Sequence, residues 1–210
     1  AALLIKKADK KIDALESAID DHAMRILALR QPMANDLRAV IVALKTAAII
    51  ERIGDYAKNI AKRTQVLAES PTLGATKTVK RMASLVQPMI KDVLDAYITR
   101  DATKAENVRL RDEDVDSLHT SLFRELLTYM MEDQKNITAA SHMMFVAKNI
   151  ERIGDHATNI AENVHYLVHG EIPEEARPKS AQAPIVPNRR GSEGASYSLN
   201  PKPVSYTHLT

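Results

Sequence analysis

The chain has 210 residues, 45% of them hydrophobic, with no Cys, no Trp, six Gly and nine Pro. Its 29 basic and 27 acidic residues leave a formal charge of +2, which argues neither for nor against a nucleic-acid partner. The absence of Cys excludes disulfides and thiolate metal sites. Before residue 171 the prolines are Pro32, Pro71 and Pro88 and the glycines Gly54, Gly74, Gly154 and Gly170. So few turn-formers exclude a β-sandwich or barrel, and the Val/Ile-rich runs of a βαβ protein are missing.

The body therefore reads as all-α, in five helices. The first spans Leu3 to Leu29 and ends before Pro32. Asn35 or Asp36 is the expected N-cap of the second, Leu37 to Ala68, which stops at Ser70-Pro71. The third covers Ala75 to Arg100, with a kink expected at Pro88, and the fourth covers Thr103 to Glu132. Asn136 is the expected cap of the fifth, Ile137 to His169, which Gly170 closes. The longest apolar run, Val40 to Ile50, is interrupted by Lys45 and falls short of the ~20 residues that a membrane span requires. Residues 171–210 are rich in Pro, Ser and mixed charge and read as a disordered tail without a functional motif.

An internal repeat organises the body. Ile50-Glu51-Arg52-Ile53-Gly54-Asp55-Tyr56-Ala57-Lys58-Asn59-Ile60-Ala61 recurs one hundred residues on, from Ile150 to Ala161, with changes only at Tyr56/His156 and Lys58/Thr158. The preceding helices match as well, Asp9 to Leu15 paralleling Asp112 to Leu118. A period this long fits a duplicated helical domain rather than a solenoid unit. Domains are expected at 1–72 and 73–170. The second unit has three helices and the first only two, so the pattern predicts a further helix preceding Ala1.

Residues four apart on a helix lie one turn above each other. Glu51 and Asp55 thus stand side by side, with Asn59 continuing the ridge, and Glu151, Asp155 and Asn159 repeat the arrangement. Both ridges are expected at the edge of the packed face, neither in the core nor on the solvent side. Asp9 with Asp13, and Asp112 with Asp116, form matching pairs on the neighbouring helices, followed by Glu16 and His119. One E-x-x-x-D motif alone reads as a solvated helix face. Its duplication on paired helices favours a cation between carboxylates that otherwise repel, and oxygen donors suit Mg, Mn, Fe, Ca or Zn. Gly54 and Gly154 mark a close helix crossing that brings the ridges together, despite the cost of a mid-helix Gly. Arg52 and Arg152 read as surface pairing or phosphate contact. The pairs Met130-Met131 and Met143-Met144 read as core filler. Glu162 and His165 have the E-x-x-H spacing of di-iron bundles, but the other repeat has no counterpart.

Leu29 to Arg38, the two E-R-I-G-D segments with A-x-N-I-A, and Arg124 to Asp133 resemble the PhoU family, accessory and regulatory proteins of bacterial phosphate uptake. The resemblance covers residues 1–172. It implies two tandem three-helix bundles, the missing element being the first helix of the N-terminal bundle. It also implies E/D-x-x-x-D motifs that bind multinuclear clusters of Fe, Zn, Mn or Mg, here Asp9/Asp13, Glu51/Asp55, Asp112/Asp116 and Glu151/Asp155. Asn59, Asn159 and His119 are weaker candidates. The role implied is that of a cytoplasmic, homodimeric adaptor without nucleic acid. It represses the phosphate-starvation response by linking the phosphate ABC transporter and its ATPase to a PhoR-type sensor histidine kinase. A metal-dependent enzyme on a helical bundle and a metal-free helical scaffold are the alternative readings. Neither H-E-x-x-H, G-x-S-x-G nor a glycine-rich phosphate loop occurs.

Overall fold

The computed structural model describes residues 2–70 and 72–172. The chain divides into two units, Ala1–Ser180 and Ala181–Thr210, and every described residue lies in the first. The tail expected over 171–210 lies outside the described residues beyond Ile172. Among those described there are five helices and no strand: α1 Ala2–Arg30, α2 Asn35–Ala68, α3 Thr76–Thr99, α4 Ala102–Glu132 and α5 Asn136–His169. None is long and apolar enough to cross a membrane.

The helix ends follow local chemistry, though two expected caps are corrected. Asn35 and Asp36 both lie inside α2; the cap position is Ala34, at φ 46°, and no side chain caps the helix. Asn136 likewise opens α5 from within, its side chain donating to the Tyr129 carbonyl across the turn at 3.1 Å. Asp101 caps α4 by accepting from the Lys104 backbone N–H at 2.9 Å. Gly170 closes α5 at φ 84°, a left-handed conformation that favours glycine. α3 runs unbroken through Pro88. Both Pro88 and Ser84 are exposed, so water can satisfy the Ser84 carbonyl that proline leaves without a helical donor.

α3, α4 and α5 pack pairwise into a three-helix bundle. Its core holds Met82, Met89, Leu122, Leu126, Ile160 and Val164, all essentially inaccessible to water. α1 packs on α2, and α2 in turn on α5, so the two repeat-bearing helices meet at the centre. There Tyr56 and His156, one repeat apart, stack with centroids 5.4 Å apart and planes inclined by 20°. Arg63 lies over the Phe145 ring at 4.0 Å and Arg38 over Tyr166 at 5.4 Å, extending the α2–α5 contact in both directions. Met143 is buried and Met130 and Met144 flank the core as expected, but Met131 is exposed.

Among the described residues the first half is only the α1–α2 pair. Its apolar stripe opens on a groove of about 470 Å³ lined by Leu15, Ile19, Ala23, Ile26, Ala39 and Val40. The repeat makes Ile19 the counterpart of Leu122, yet Ile19 is 39% exposed and Leu122 1%. Leu122→Ala should therefore cost about 2–5 kcal/mol, while Ile19→Ala costs about 1 kcal/mol or less. Urea unfolding midpoints of the two variants check this, and equal losses would show that the groove is closed in solution.

Candidate functional site

Each acidic ridge is positioned by a glycine. A Cβ added at Gly54 would lie 3.3 Å from Ile12 Cδ1 and 3.8 Å from Asp9 Oδ1. One added at Gly154 would lie 2.9 Å from Asp112 Oδ1 and 3.7 Å from Val115 Cγ1. The same pair of positions from the preceding helix thus sits over the glycine in both halves. The close crossing read from the sequence is present twice, and it carries an aspartate onto each ridge.

Burial differs from the expectation of a row at the edge of the packed face. Asp9 is 7% and Asp112 1% exposed, both inside the helix contact, because they lie directly over a residue without a side chain. Asp13 is exposed, while Asp55, Asp116, Glu51, Glu151 and Asp155 are half-buried, as are Asn59 and Asn159.

In the first half four carboxylates crowd together. Burial, then the negative charges of Asp55, Glu16 and Asp13, push the Glu51 carboxyl above its ordinary value. Lys58 answers from the same helix. Its Nζ donates to Asp9 Oδ2 at 2.8 Å and to Asp55 Oδ1 at 2.5 Å, bridging α1 and α2. These bonds, that to Asp55 foremost, raise the affinity of the Lys58 amine for its proton.

The second half holds the same carboxylates with different neighbours. Thr158 replaces Lys58; it is buried and its hydroxyl donates to the Asp155 carbonyl at 2.7 Å. Lys148, whose repeat counterpart is Ala48, grips both oxygens of Glu151 at 2.7 Å from three residues earlier. His119 stands where the first half has Glu16. Burial lowers its proton affinity against the opposing pull of Glu151 and Asp116, leaving a neutral imidazole near pH 7.

Among the described residues no three His, Asp or Glu side chains are already drawn round one point as metal ligands. The donor set is nonetheless that of an oxygen-ligated cation. The Lys58 ammonium, held between Asp9 and Asp55, is a positive charge standing in such a place. Sequence reasoning missed Lys58 and Lys148, although the Lys58/Thr158 difference within an otherwise near-identical repeat was the available signal. It also missed Arg109, which is buried, donates to Glu106 at 2.7 Å and faces Glu162 at 4.0 Å. Glu162 is thus an ion-pair partner, and His165 meets the Glu171 carbonyl at 3.0 Å, so the E-x-x-H spacing forms no di-iron motif. Arg152 lies over the Tyr56 ring at 5.8 Å.

Two successive stretches, residues 1–64 and 79–164, match the PhoU domain family. The chain belongs to the PhoU family. It is 53% identical over 172 residues to the phosphate-specific transport system accessory protein PhoU homolog of Caulobacter vibrioides, covering 81% of this chain and 75% of that one. The homolog from Zymomonas mobilis is 50% identical over 184 residues, covering 87% and 77%. Among solved structures, PhoU from Pseudomonas aeruginosa superposes with a TM-score of 0.77 at 41% identity, over 81% of this chain and 82% of that one. The phosphate transport system regulatory protein PhoU from Streptococcus pneumoniae gives 0.75 at 32% identity, over 83% and 82%. The all-α fold of tandem PhoU bundles is thereby established, and with it a PhoU-type role in phosphate uptake.

The raised Glu51 value has a definite sign for stability. The folded state binds the Glu51 proton more tightly than the unfolded chain, so the residue's contribution falls as pH rises through the unfolded value of about 4.3 and on to the raised folded value. In chelator-treated protein, Glu51→Gln should raise stability at pH 7 by a few tenths of a kcal/mol and have no such effect below about pH 4, where Glu51 is protonated in both states. Thermal unfolding at the two pH values measures it; a loss of stability at pH 7 would contradict the crowding.

Proposed function

We propose that this chain is a metal-binding regulatory adaptor of phosphate uptake. When phosphate is plentiful it holds the phosphate-starvation response off by joining the ATPase of the phosphate ABC transporter to a PhoR-type sensor histidine kinase. It acts in the cytoplasm as a homodimer, by binding rather than by catalysis, and without nucleic acid. The names borne by its relatives, accessory protein of phosphate-specific transport, support the regulatory part.

The observation that carries the metal part is the crowding of Asp13, Glu16 and Asp55 around the half-buried Glu51, repeated in its sequence pattern by Asp116, Asp155 and Glu151 in the second half. Asp9, Asp13, Glu51 and Asp55 would hold one cluster; Asp112, Asp116, Glu151 and Asp155 would hold the other. Asn59, Asn159 and His119 stand beside them as further donors. A bound ion supplies positive charge between two helices, which relieves carboxylate repulsion and ties the pair together. Asp9 and Asp112, buried against the glycines, fix the helix approach on which that tie depends.

The test uses a bacterium whose own PhoU-family protein has been deleted and which expresses this chain. Wild type should keep a phosphate-starvation reporter such as alkaline phosphatase off at high phosphate. Glu51→Gln combined with Glu151→Gln should lose that repression at equal protein level. Full repression by the double variant would separate regulation from the ridges, and none by wild type would overturn the regulatory reading.

A further inference from the structure

The two halves share their carboxylates but not their internal cations. In the first, the Lys58 ammonium spans the helix pair, 2.8 Å from Asp9 Oδ2 on α1 and 2.5 Å from Asp55 Oδ1 on α2. An ion entering between these carboxylates meets a unit positive charge already seated on two of its donors. In the second, the corresponding position is Thr158, a neutral side chain turned onto its own helix. Lys148 also neutralises a carboxylate there, but it contacts Glu151 alone, from the same helix. Its side chain is nearly half exposed, where an ion pair is weak and readily exchanged. His119 adds a nitrogen donor beside Glu151 and Asp116 where the first half offers Glu16, and nitrogen with oxygen suits borderline ions such as Mn, Fe and Zn.

We propose that Lys58 is a built-in competitor of metal at the first ridge, so that this chain loads metal at the second ridge first and at the first only when the Lys58 ammonium is displaced. The inference rests on the metal reading above and adds an order of filling to it. The ammonium blocks by charge and by occupying the acceptor oxygens of Asp9 and Asp55. A divalent ion repels a neighbouring ammonium strongly at such separations. Because Lys58 has no other recorded partner than these two carboxylates, displacing it opens the seat without breaking the packing of α1 on α2. The first half then works as a site whose occupancy is set by competition, and the second as a site filled at lower metal concentration.

Calorimetric titration of the chelator-treated full chain with Mn²⁺ tests this. Wild type should show one strong class of sites that Glu151→Gln with Asp155→Asn abolishes, and a second class weaker by about tenfold or more. Lys58→Thr should bring the weaker class to within a few-fold of the stronger, Lys58→Gln should do the same, and Lys58→Arg, which keeps the charge, should leave it weak. Circular dichroism of each variant confirms retained helix. Equal affinities in wild type, or an isotherm unchanged by both neutral Lys58 substitutions, overturn the inference while leaving metal binding intact. Absence of uptake by wild type and all variants overturns the metal reading as well.

Discussion

Everything that distinguishes this molecule from a generic helix bundle depends on two glycines that let one helix lie directly on the next. At Gly54 and Gly154 the space a Cβ would fill is taken by Ile12 and Asp9, and by Val115 and Asp112. Each glycine gives up about 1 kcal/mol of helix propensity relative to Ala. In exchange the helices approach closely enough for carboxylates from two elements to share one ridge. Substituting a larger residue at either position would move the ridge apart before it disturbed the distant core.

Around these crossings the packing is nearly two-fold. α2 and α5 meet through Tyr56 and His156, which occupy the same place in the repeat and stack on each other. α5 carries the larger share of the burden, touching α2, α3 and α4, and its inward face from Ala139 to Val164 is accordingly the most continuously buried in the described chain. The departures from symmetry are chemical rather than architectural. Lys58 faces Thr158, Glu16 faces His119, and Ala48 faces Lys148 in the repeat. Each exchange alters charge or donor type on a ridge while leaving the backbone alike.

The helices and the repeat were legible in the sequence because both follow from short-range periodicity. Gly170 ends α5 where a left-handed residue was required, and the i,i+4 acidic pairs fall on one face by helix geometry alone. What was not legible depended on how one helix lies on another. Asn35 and Asn136 carry cap-forming side chains, yet the turns before them place Ala34 and Lys135 at the cap positions. Asp9 and Asp112 read as edge residues and are buried, since their depth is set by the glycine on the neighbouring helix rather than by their own periodicity. The Lys58–Asp9 contact joins residues 49 positions apart, and no local pattern announces it. Arg109 is a similar case, a charge whose burial depends on Glu106 and Glu162 from two helices.

The central claim is that carboxylates brought together over the two glycines hold metal. Elemental analysis of the full chain, purified without chelator or affinity metal, tests it most directly. The account predicts transition metal bound in stoichiometric amount and lost on replacing Glu51, Asp55, Glu151 and Asp155 by their amides. Metal-free wild-type protein that also takes up none on dialysis against Mn²⁺, Fe²⁺ or Zn²⁺ would contradict it.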